Sequence, residues 1–293
     1  MTLGISAVSL SNHWFDVDDL MTAIWEGTQH HGVSVVLPVL NERENLEYLV
    51  DEISNEFLKL GTEFEIIVSD DGSTDGTKFF IETLAASNRR IVHIDRSTKK
   101  ASLPDSIFDG IERASYDLVL WMDADGSMPA NLIPILINKY RANSDQQETI
   151  VVGSRFVEGG GFKGSDGVSK TSLLRTRSNL SKSNDSFMAV ILSRLLNRYL
   201  WLMLGRCCKD PASGFVLCRK SYVFRQKISG SYGDYCPRFI YQAFKSGVRI
   251  VEVPYVCVPR RYGTSKTGVT MRQLVSRGVP YVVLPFSIRR SVD

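Results

Sequence analysis

Two aspartates one residue apart, Asp123 and Asp125, lie in the segment LWMDADGSMPA at residues 120–130. In an extended backbone, residues i and i+2 project to the same side, so the two carboxylates can converge on one point. Converging anions repel, and a hard divalent cation such as Mg²⁺ or Mn²⁺ would relieve that repulsion. The alternative is an acidic turn, with Asp125 and Gly126 as turn residues and an Asp capping a helix that begins near Pro129.

The chain around this pair alternates between short apolar runs and longer segments with helical spacing. The runs that predict strands are VSVVLPV, EFEIIVSD, RIVHIDR and YDLVLWM. The segments between them carry apolar residues three or four positions apart and predict helices. Strands that alternate with helices in this way are typical of a parallel, doubly wound α/β sheet.

Polar side chains follow each of these predicted strands. Ligands of open α/β sheets bind beyond the carboxyl ends of the strands, so we expect these side chains to face one rim. The residues at that rim are Asn41, Glu42, Asp70, Asp71, Arg96, Asp123 and Asp125. Their concentration there favours a functional interpretation of the aspartate pair.

Composition narrows the function classes. With 35 basic and 32 acidic residues the net charge is +3, which does not indicate a nucleic-acid partner. The five cysteines show neither C-x-x-C nor paired Cys/His spacing, so no zinc site or disulfide framework is implied. A reduced, cytoplasmic setting fits best, and the first residues show no secretion-signal pattern.

Three segments are predicted: an N-terminal extension at 1–31 with a short helix around 17–25, a domain at 32–268, and a C-terminal tail at 269–293, interpreted as amphipathic.

Residues 186–204, SFMAVILSRLLNRYLWLML, are apolar over about the length of a bilayer span. Arg194, Asn197 and Arg198 interrupt this run on one helical face. We therefore expect an amphipathic helix that packs on the core or lies partly in a membrane interface.

Six motifs in order resemble the polyprenyl-phosphate sugar synthases. They are VVLPVLNERENL, IIVSDDGSTDGT, LWMDADGSMPA, VVGSRFVEGGG, DPASGFVLCRK and VEVPYVCVPRRYGTSK. These synthases include the dolichyl-phosphate mannose synthases and belong to the family 2 glycosyltransferases, and the resemblance covers residues 33 to about 268. It implies a GT-A fold, a Rossmann-like, doubly wound and mostly parallel sheet flanked by helices. It also implies inverting transfer of a hexose from a nucleotide sugar to a polyprenyl (dolichyl) phosphate, with Mg²⁺ or Mn²⁺.

The resemblance assigns roles to residues in the donor site. The metal ligands would be Asp123, Asp125 and Ser127, which stands where many members have Gln. The residues expected to bind the nucleotide sugar are Pro38, Asn41, Glu42, Asp70, Asp71, Asp123 and Arg260. Asp125, Arg155 and Asp210 are expected to be catalytic, Arg155 as a phosphate-facing arginine. Asp210 would be the base if the acceptor were a hydroxyl, or else would cap the DPASG turn.

The acceptor site is expected on a helix and a loop. Arg177 and Ser181 have the i, i+4 spacing that places both on one helical face. Arg261, Ser265 and Lys266 lie in the RRYGTSK loop, which resembles a flexible lid. Two departures from the family pattern bear on substrate choice: a longer, more polar segment at 162–186, and Pro104 where a flexible glycine is common.

Three functions remain open from the sequence. A phosphate acceptor is already ionised at neutral pH, so a polyprenyl-phosphate hexosyltransferase needs no general base. Such an enzyme would reach its acceptor through peripheral contact with the cytosolic face of a membrane. The second hypothesis keeps the donor chemistry and uses a soluble acceptor, namely a glycan, a protein or a modified nucleic acid. The third is a non-catalytic nucleotide-binding module.

Overall fold

A seven-stranded mixed sheet forms the centre of the molecule. The structure is a computed structural model that describes residues 32–144, 147–162, 187–263 and 271–289. The first half of the sheet contains β1 (Gly32–Val39), β2 (Glu63–Asp70), β3 (Ile91–Asp95) and β4 (Leu118–Trp121). The second half contains β5 (Thr149–Ser154), β7 (Val216–Arg219) and β8 (Arg249–Pro254), and a separate parallel pair is formed by β6 (Gly161–Phe162) and β9 (Val256–Cys257).

The strand order is β3-β2-β1-β4-β7-β5-β8, and β7 runs antiparallel to both neighbours while the other pairs are parallel. The predicted mostly parallel, doubly wound sheet is confirmed. Burial of β1 on both faces explains why its sequence is a nearly continuous apolar run. Val33, Val35 and Leu37 pack into the core on one face and Val36 into the core on the other. A strand covered on both faces needs apolar residues at consecutive positions.

Helices cover both faces of the sheet. They are α1 (Arg43–Leu60), α2 (Thr77–Ser87), α3 (Leu103–Arg113), α4 (Ile133–Arg141), α5 (Phe187–Met203), α6 (Lys220–Gln226), α7 (Tyr235–Lys245) and α8 (Met271–Arg289). Helix α1 buries Leu46, Leu49, Val50, Ile53 and Phe57, the apolar stripe expected from the sequence. Gly61 ends it with φ of 62°, a left-handed conformation in which glycine carries no Cβ penalty.

Helix α3 begins beside the predicted ligand-binding rim. Ser102 is its N-cap residue and Pro104 lies in the first turn, where a missing N–H costs no hydrogen bond. Further along, Gly110 lies against Val36 of β1, so the helix backbone approaches the sheet closely. At the other end of the helix, Pro104 in the first turn fixes where α3 begins, at a position where the family pattern has a flexible glycine.

The predicted amphipathic segment at 186–204 forms α5, and α8 lies in the predicted tail. Leu200 of α5 and Leu204 just after it share a buried cluster with Leu284 and Ile288 of α8. The Tyr199 hydroxyl donates to the Val282 carbonyl at 2.8 Å. None of the described helices is long and apolar enough to cross a bilayer. The segment boundaries at 32 and 268 stay predictions, and the predicted helix at 17–25 lies outside the described residues.

Candidate active site

A cavity of about 1340 Å³ opens at the carboxyl ends of the parallel strands. Its polar end contains six of the charged residues that the motifs predicted: Glu42, Asp71, Asp123, Asp125, Arg155 and Arg260. Pro38 and Ser127 also lie on its wall. The structure therefore brings the donor-site predictions together from loops that follow β1, β2, β4, β5 and β9.

The aspartate pair reaches the cavity through a turn. Strand β4 ends at Trp121, so the convergence predicted from an extended backbone is wrong in its local geometry. Gly126 has φ of 75°, and the Asp125 carboxylate accepts a hydrogen bond from the Ser127 backbone N–H at 2.8 Å. The acidic-turn interpretation is thus correct for the backbone at Asp125 and Gly126, but no Asp caps the short helical turn that follows, whose N-cap residue is Pro129. The acidic turn does not exclude a cation, because both Asp123 and Asp125 line the cavity.

The two aspartates differ in how well nearby arginines compensate their negative charge. Asp125 is only 3% exposed, and its second oxygen lies 2.7 Å from Nη2 of Arg260. Burial, and then repulsion from Asp125, raise the pKa of Asp123 to about 7. Arg260 and Arg155 lower the pKa of Asp123 by less, so among the described residues its charge is not fully compensated. A divalent cation would relieve this condition.

The donor set fits Mg²⁺ or Mn²⁺ better than zinc. Within the described ranges, no group of three Asp, Glu, His or Cys side chains is close enough to hold a metal ion. The available protein ligands are the carboxylates of Asp123 and Asp125 and the hydroxyl of Ser127. Mg²⁺ is commonly bound by one or two carboxylates while water and substrate phosphates complete its shell.

Arg155 and Asp210 form a buried pair at the wall of the cavity. The fully buried Asp210 carboxylate accepts hydrogen bonds from the backbone N–H, Nε and Nη2 of Arg155, each at 2.8 Å. Burial opposes the charge of Arg155, but Asp210 outweighs it and holds the pKa of the guanidinium well above its usual range. A carboxylate bound on both oxygens is poorly placed to accept a proton from an acceptor. The structure therefore argues against Asp210 as a base, and its side chain does not cap the DPASG turn either.

The two aspartates after β2 have different surroundings. Asp70 points into its own loop, where one carboxylate oxygen accepts hydrogen bonds from the N–H and hydroxyl of Ser73 at 2.9 and 2.6 Å. Its side chain thus supports the loop, and its contact with the nucleotide stays a prediction. Asp71 does line the cavity, forms an ion pair with Arg96, and accepts from the Ser102 N–H at 2.7 Å. Burial raises the pKa of Asp71 more than these two partners lower it.

The residues of the loop after β1 also differ in whether they face the cavity. Pro38 and Glu42 line the cavity, whereas Asn41 is exposed and has φ of 55°. The Asn41 N–H donates to the Ser73 hydroxyl at 2.8 Å, and its side-chain oxygen accepts from the Thr74 N–H at 2.7 Å. Asn41 therefore joins the two loops, so the structure does not support its predicted contact with the nucleotide.

Arg261 points away from the cavity. Its guanidinium forms an ion pair with Glu52 of α1 and lies 5.4 Å from the ring centroid of Tyr48. The neighbouring Arg260 faces the acids instead, and a role of Arg261 in acceptor binding stays a prediction. Four further acceptor predictions lie outside the described residues: Arg177, Ser181, Ser265 and Lys266.

Sequence reasoning missed polar residues on α5. Ser193 and Asn197 line the cavity, and Asn197 is only 2% exposed. Its Nδ2 donates to the Ser193 carbonyl at 2.9 Å, while its Oδ1 has no hydrogen-bond partner among the described residues. The sequence placed Asn197 on the same polar face as Arg194 and Arg198. Spacing alone could not separate Asn197 from the two arginines, because residues three and four positions apart share one helical face.

The far end of the cavity is apolar. Leu195 and Leu196 of α5 and Val279, Val282 and Val283 of α8 form much of its wall. These side chains border the cavity and most of them remain about half exposed, so the two helices line it without sealing it. The cavity therefore changes along its length from acids and arginines to aliphatic side chains.

Comparison with known proteins identifies relatives over most of the chain. A profile of Glycosyl transferase family 2 matches residues 34–221. The chain is 28% identical over 268 residues to polyprenol monophosphomannose synthase of Mycolicibacterium smegmatis, covering 88% of each chain. It is 33% identical over 234 residues to dolichol-phosphate mannosyltransferase of Pyrococcus furiosus, covering 80% of this chain and 58% of that protein.

Solved structures share the fold. Glucosyl-3-phosphoglycerate synthase of Mycobacterium tuberculosis, crystallised with Mn²⁺, UDP and glucosyl-3-phosphoglycerate, matches with a TM-score of 0.59 at 16% identity over 95% of this chain and 86% of that one. Mannosyl-3-phosphoglycerate synthase of Rubrobacter xylanophilus matches with a TM-score of 0.60 at 15% identity over 94% and 79%. The fold is thus that of GT-A glycosyltransferases.

Proposed function

Because the chain belongs to glycosyl transferase family 2 and is a glycosyltransferase, we propose that it transfers a hexose from a nucleotide sugar to the phosphate of a polyprenyl lipid. The transfer inverts the anomeric carbon and uses Mg²⁺ or Mn²⁺ at Asp123 and Asp125. The names of the two mannose-transferring relatives contain polyprenol and dolichol phosphate. They support this class of acceptor and make mannose the first sugar to test.

The observation that carries the proposal is the change of chemistry along the cavity. Its polar end suits a nucleotide sugar and a phosphate, since Arg155 and Arg260 can each donate two parallel hydrogen bonds to phosphate oxygens. Its apolar end suits an isoprenoid chain, because burying hydrocarbon against Leu195, Val279 and Val282 removes both surfaces from water. A small polar acceptor would leave that apolar end unused.

The chemistry requires no general base. The second pKa of a phosphate monoester is about 6, so an acceptor oxygen is ionised at neutral pH. That oxygen attacks the anomeric carbon while the bond to the nucleoside diphosphate breaks, and the diphosphate leaves with the bonding electron pair. Attack opposite to the leaving group inverts the anomeric carbon. The engagement of Asp210 by Arg155 supports a mechanism without a carboxylate base.

The side chains of the site have separate tasks in this mechanism. Arg155, held in place by Asp210, orients the acceptor phosphate. Arg260, beside Asp125, lies where it can donate to the diphosphate. Asp71, held by Arg96 and the Ser102 N–H, lies on the donor wall. A divalent cation bound by Asp123 and Asp125 would act as a Lewis acid toward the negative charge of the departing diphosphate.

Purified protein incubated with labelled GDP- and UDP-hexoses, polyprenyl phosphate in detergent and Mn²⁺ tests the proposal. We expect a glycolipid with an anomeric configuration opposite to that of the donor, and no product in the presence of a chelator. The adjacent arginines supply a matched pair of variants. Arg260→Gln should lower kcat/KM by about 100-fold, as for loss of one donor that stabilises transition-state charge. Arg261→Gln should retain activity, because its side chain contacts Glu52 outside the cavity.

Two outcomes would contradict the proposal. The first is a protein that binds nucleotide yet forms no glycolipid with any donor. The second is transfer to a soluble phosphate such as 3-phosphoglycerate, the acceptor class in the structural relatives' names, with none to the lipid. The second outcome would keep the donor chemistry and favour the soluble-acceptor alternative.

A further inference from the structure

A second, smaller pocket of about 300 Å³ lies outside the cavity described above. It is lined by three cationic and two aromatic side chains: Arg194, Arg198, Lys209, Phe156 and Trp201. Arg194 and Arg198 are one helical turn apart on α5, and both are exposed, as is Lys209. The guanidinium of Arg198 lies 6.0 Å from the ring centroid of Trp201. The mechanism proposed above uses none of these side chains.

The positive charge of this pocket is not neutralised within the part of the chain that the structure describes. No carboxylate there lies within salt-bridge distance of Arg194, Arg198 or Lys209. Asp210, the residue after Lys209, is bound by Arg155. The Glu252 carboxylate accepts from the backbone N–H groups of Lys209 and Asp210 at 2.9 and 3.2 Å. The pocket is thus a concave, cationic surface that fits an anion.

Helix α5, which lines this pocket, and helix α8, which packs against α5, expose apolar side chains. Leu195 is 60% exposed, and Leu202 on the same helix and Val283 and Phe286 on α8 are exposed as well. Neither α5 nor α8 contains an acidic residue. Exposed aliphatic groups beside arginines and a tryptophan are the features of a surface that lies in the headgroup region of an anionic membrane.

We propose that Phe156, Arg194, Arg198, Trp201 and Lys209 bind the phosphate-containing headgroup of an anionic membrane lipid, with the exposed leucines of α5 and the apolar residues of α8 in the adjoining acyl region. The inference rests on the proposed function in one respect: a lipid acceptor must enter the apolar end of the cavity from a membrane. The same two helices line that end and carry the exposed apolar surface. The headgroup site would hold the cavity mouth against the bilayer.

Vesicle binding tests this site without donor or acceptor. The chain is mixed with phosphatidylcholine vesicles that contain or lack phosphatidylglycerol, and bound protein is measured by co-sedimentation. We expect strong preference for the anionic vesicles, falling with added salt. The variant R194Q/R198Q/K209Q should lose about fivefold in partitioning per removed cation, or on the order of 100-fold in total. An unchanged thermal unfolding midpoint would show that this variant is folded.

A matched control removes the same charge elsewhere. Arg89, Arg113 and Lys139 are exposed and lie on the side of the sheet opposite the cavity: Arg89 precedes β3, and Arg113 and Lys139 are in the last turns of α3 and α4, which lead to β4 and β5. R89Q/R113Q/K139Q should bind anionic vesicles about as well as the unmodified chain. Equal loss in both triple variants would overturn the site, since net charge alone would then explain binding.

A second readout locates the contact. Brominated lipids quench tryptophan fluorescence over short distances, so Trp201→Phe should remove part of the quenching seen with the unmodified chain. Quenching that is identical in both would overturn the proposal. So would binding of free glycerol phosphate as tight as binding to vesicles, because the pocket would then be a site for soluble anions. If glycolipid synthesis fails but vesicle binding follows these expectations, the headgroup site stands and only the proposed acceptor is refuted.

Discussion

Replacing Asp210 by Asn should disrupt the position of Arg155 in the cavity wall. The carboxylate is fully buried and accepts three hydrogen bonds from Arg155, each at 2.8 Å. Asn keeps the size of the side chain but removes its charge. It also directs an NH₂ group at the guanidinium, which has only donors.

The expected cost follows from the burial of the pair. Removing one partner of a buried ion pair leaves the other charge uncompensated and typically costs about 3–5 kcal/mol. For a chain of this size that corresponds to a fall in the unfolding midpoint on the order of 10 °C. Arg155→Gln should cost a similar amount, because it leaves Asp210 as the uncompensated charge. In R155Q/D210N neither charge remains, so the double variant should be more stable than the sum of the single changes predicts, by at least about 2 kcal/mol.

Urea unfolding of the four proteins of this cycle measures the coupling. The exposed ion pair between Arg43 and Glu47 is the matched control, since Glu47→Gln should cost no more than about 1 kcal/mol. Transfer kinetics provide a second readout. If Asp210 acts by holding Arg155, D210N and R155Q should share one defect in kcat/KM, and the double variant should be little worse than either.

The reasoning is refuted by additive stability effects, or by a D210N variant that loses less than about 1 kcal/mol. A different pattern would revive Asp210 as a base. In that case D210N would fold normally, lose most of its kcat, and no longer show the fall in rate at low pH that protonation of a base produces.

Three further predictions follow from neighbouring contacts. The pKa of Asp123 near 7 means that its carboxyl is protonated below that pH, and a protonated carboxyl is a poor metal ligand. Mn²⁺ affinity measured by calorimetry should therefore fall about tenfold per pH unit below pH 7. The variant Asp123→Asn should remove this pH dependence. Arg96 is 1% exposed and contacts Asp71. Arg96→Lys should cost about 3 kcal/mol in urea unfolding and raise the KM for the donor, because an ammonium group cannot replace the planar, forked guanidinium. Unchanged values of both quantities would contradict this role. Gly110→Ala would place a methyl group against Val36 and should cost about 1–3 kcal/mol despite the better helix propensity of Ala, whereas a rise in the unfolding midpoint would show that the contact relaxes.

Local sequence patterns predicted the elements well. The apolar stripe of α1, the all-apolar β1 and the amphipathic α5 depend on residues within a few positions of each other, so periodicity is sufficient to predict them. The position of the polar rim also followed from the alternation of strands and helices, because carboxyl ends of parallel strands meet at one edge.

Individual side-chain roles were less predictable. Asp70 and Asp71 are adjacent in one motif, yet Asp70 supports its loop and Asp71 lines the cavity. Arg260 and Arg261 are likewise adjacent, and only Arg260 faces the acids. Neighbouring residues have the same sequence context, so motif spacing cannot show which of two side chains points inward.

The sequence by itself determined the elements, the family resemblance and the edge of the sheet at which the chemistry lies. The tertiary structure alone decided which charges meet. Strand β7 inserts antiparallel between β4 and β5 and brings the segment that begins at Asp210 beside Arg155, while the chain after β9 returns Arg260 to Asp125. The physical reason is range: helix and strand formation depends on near neighbours, whereas these pairs depend on strand order and on close packing of segments far apart in the chain.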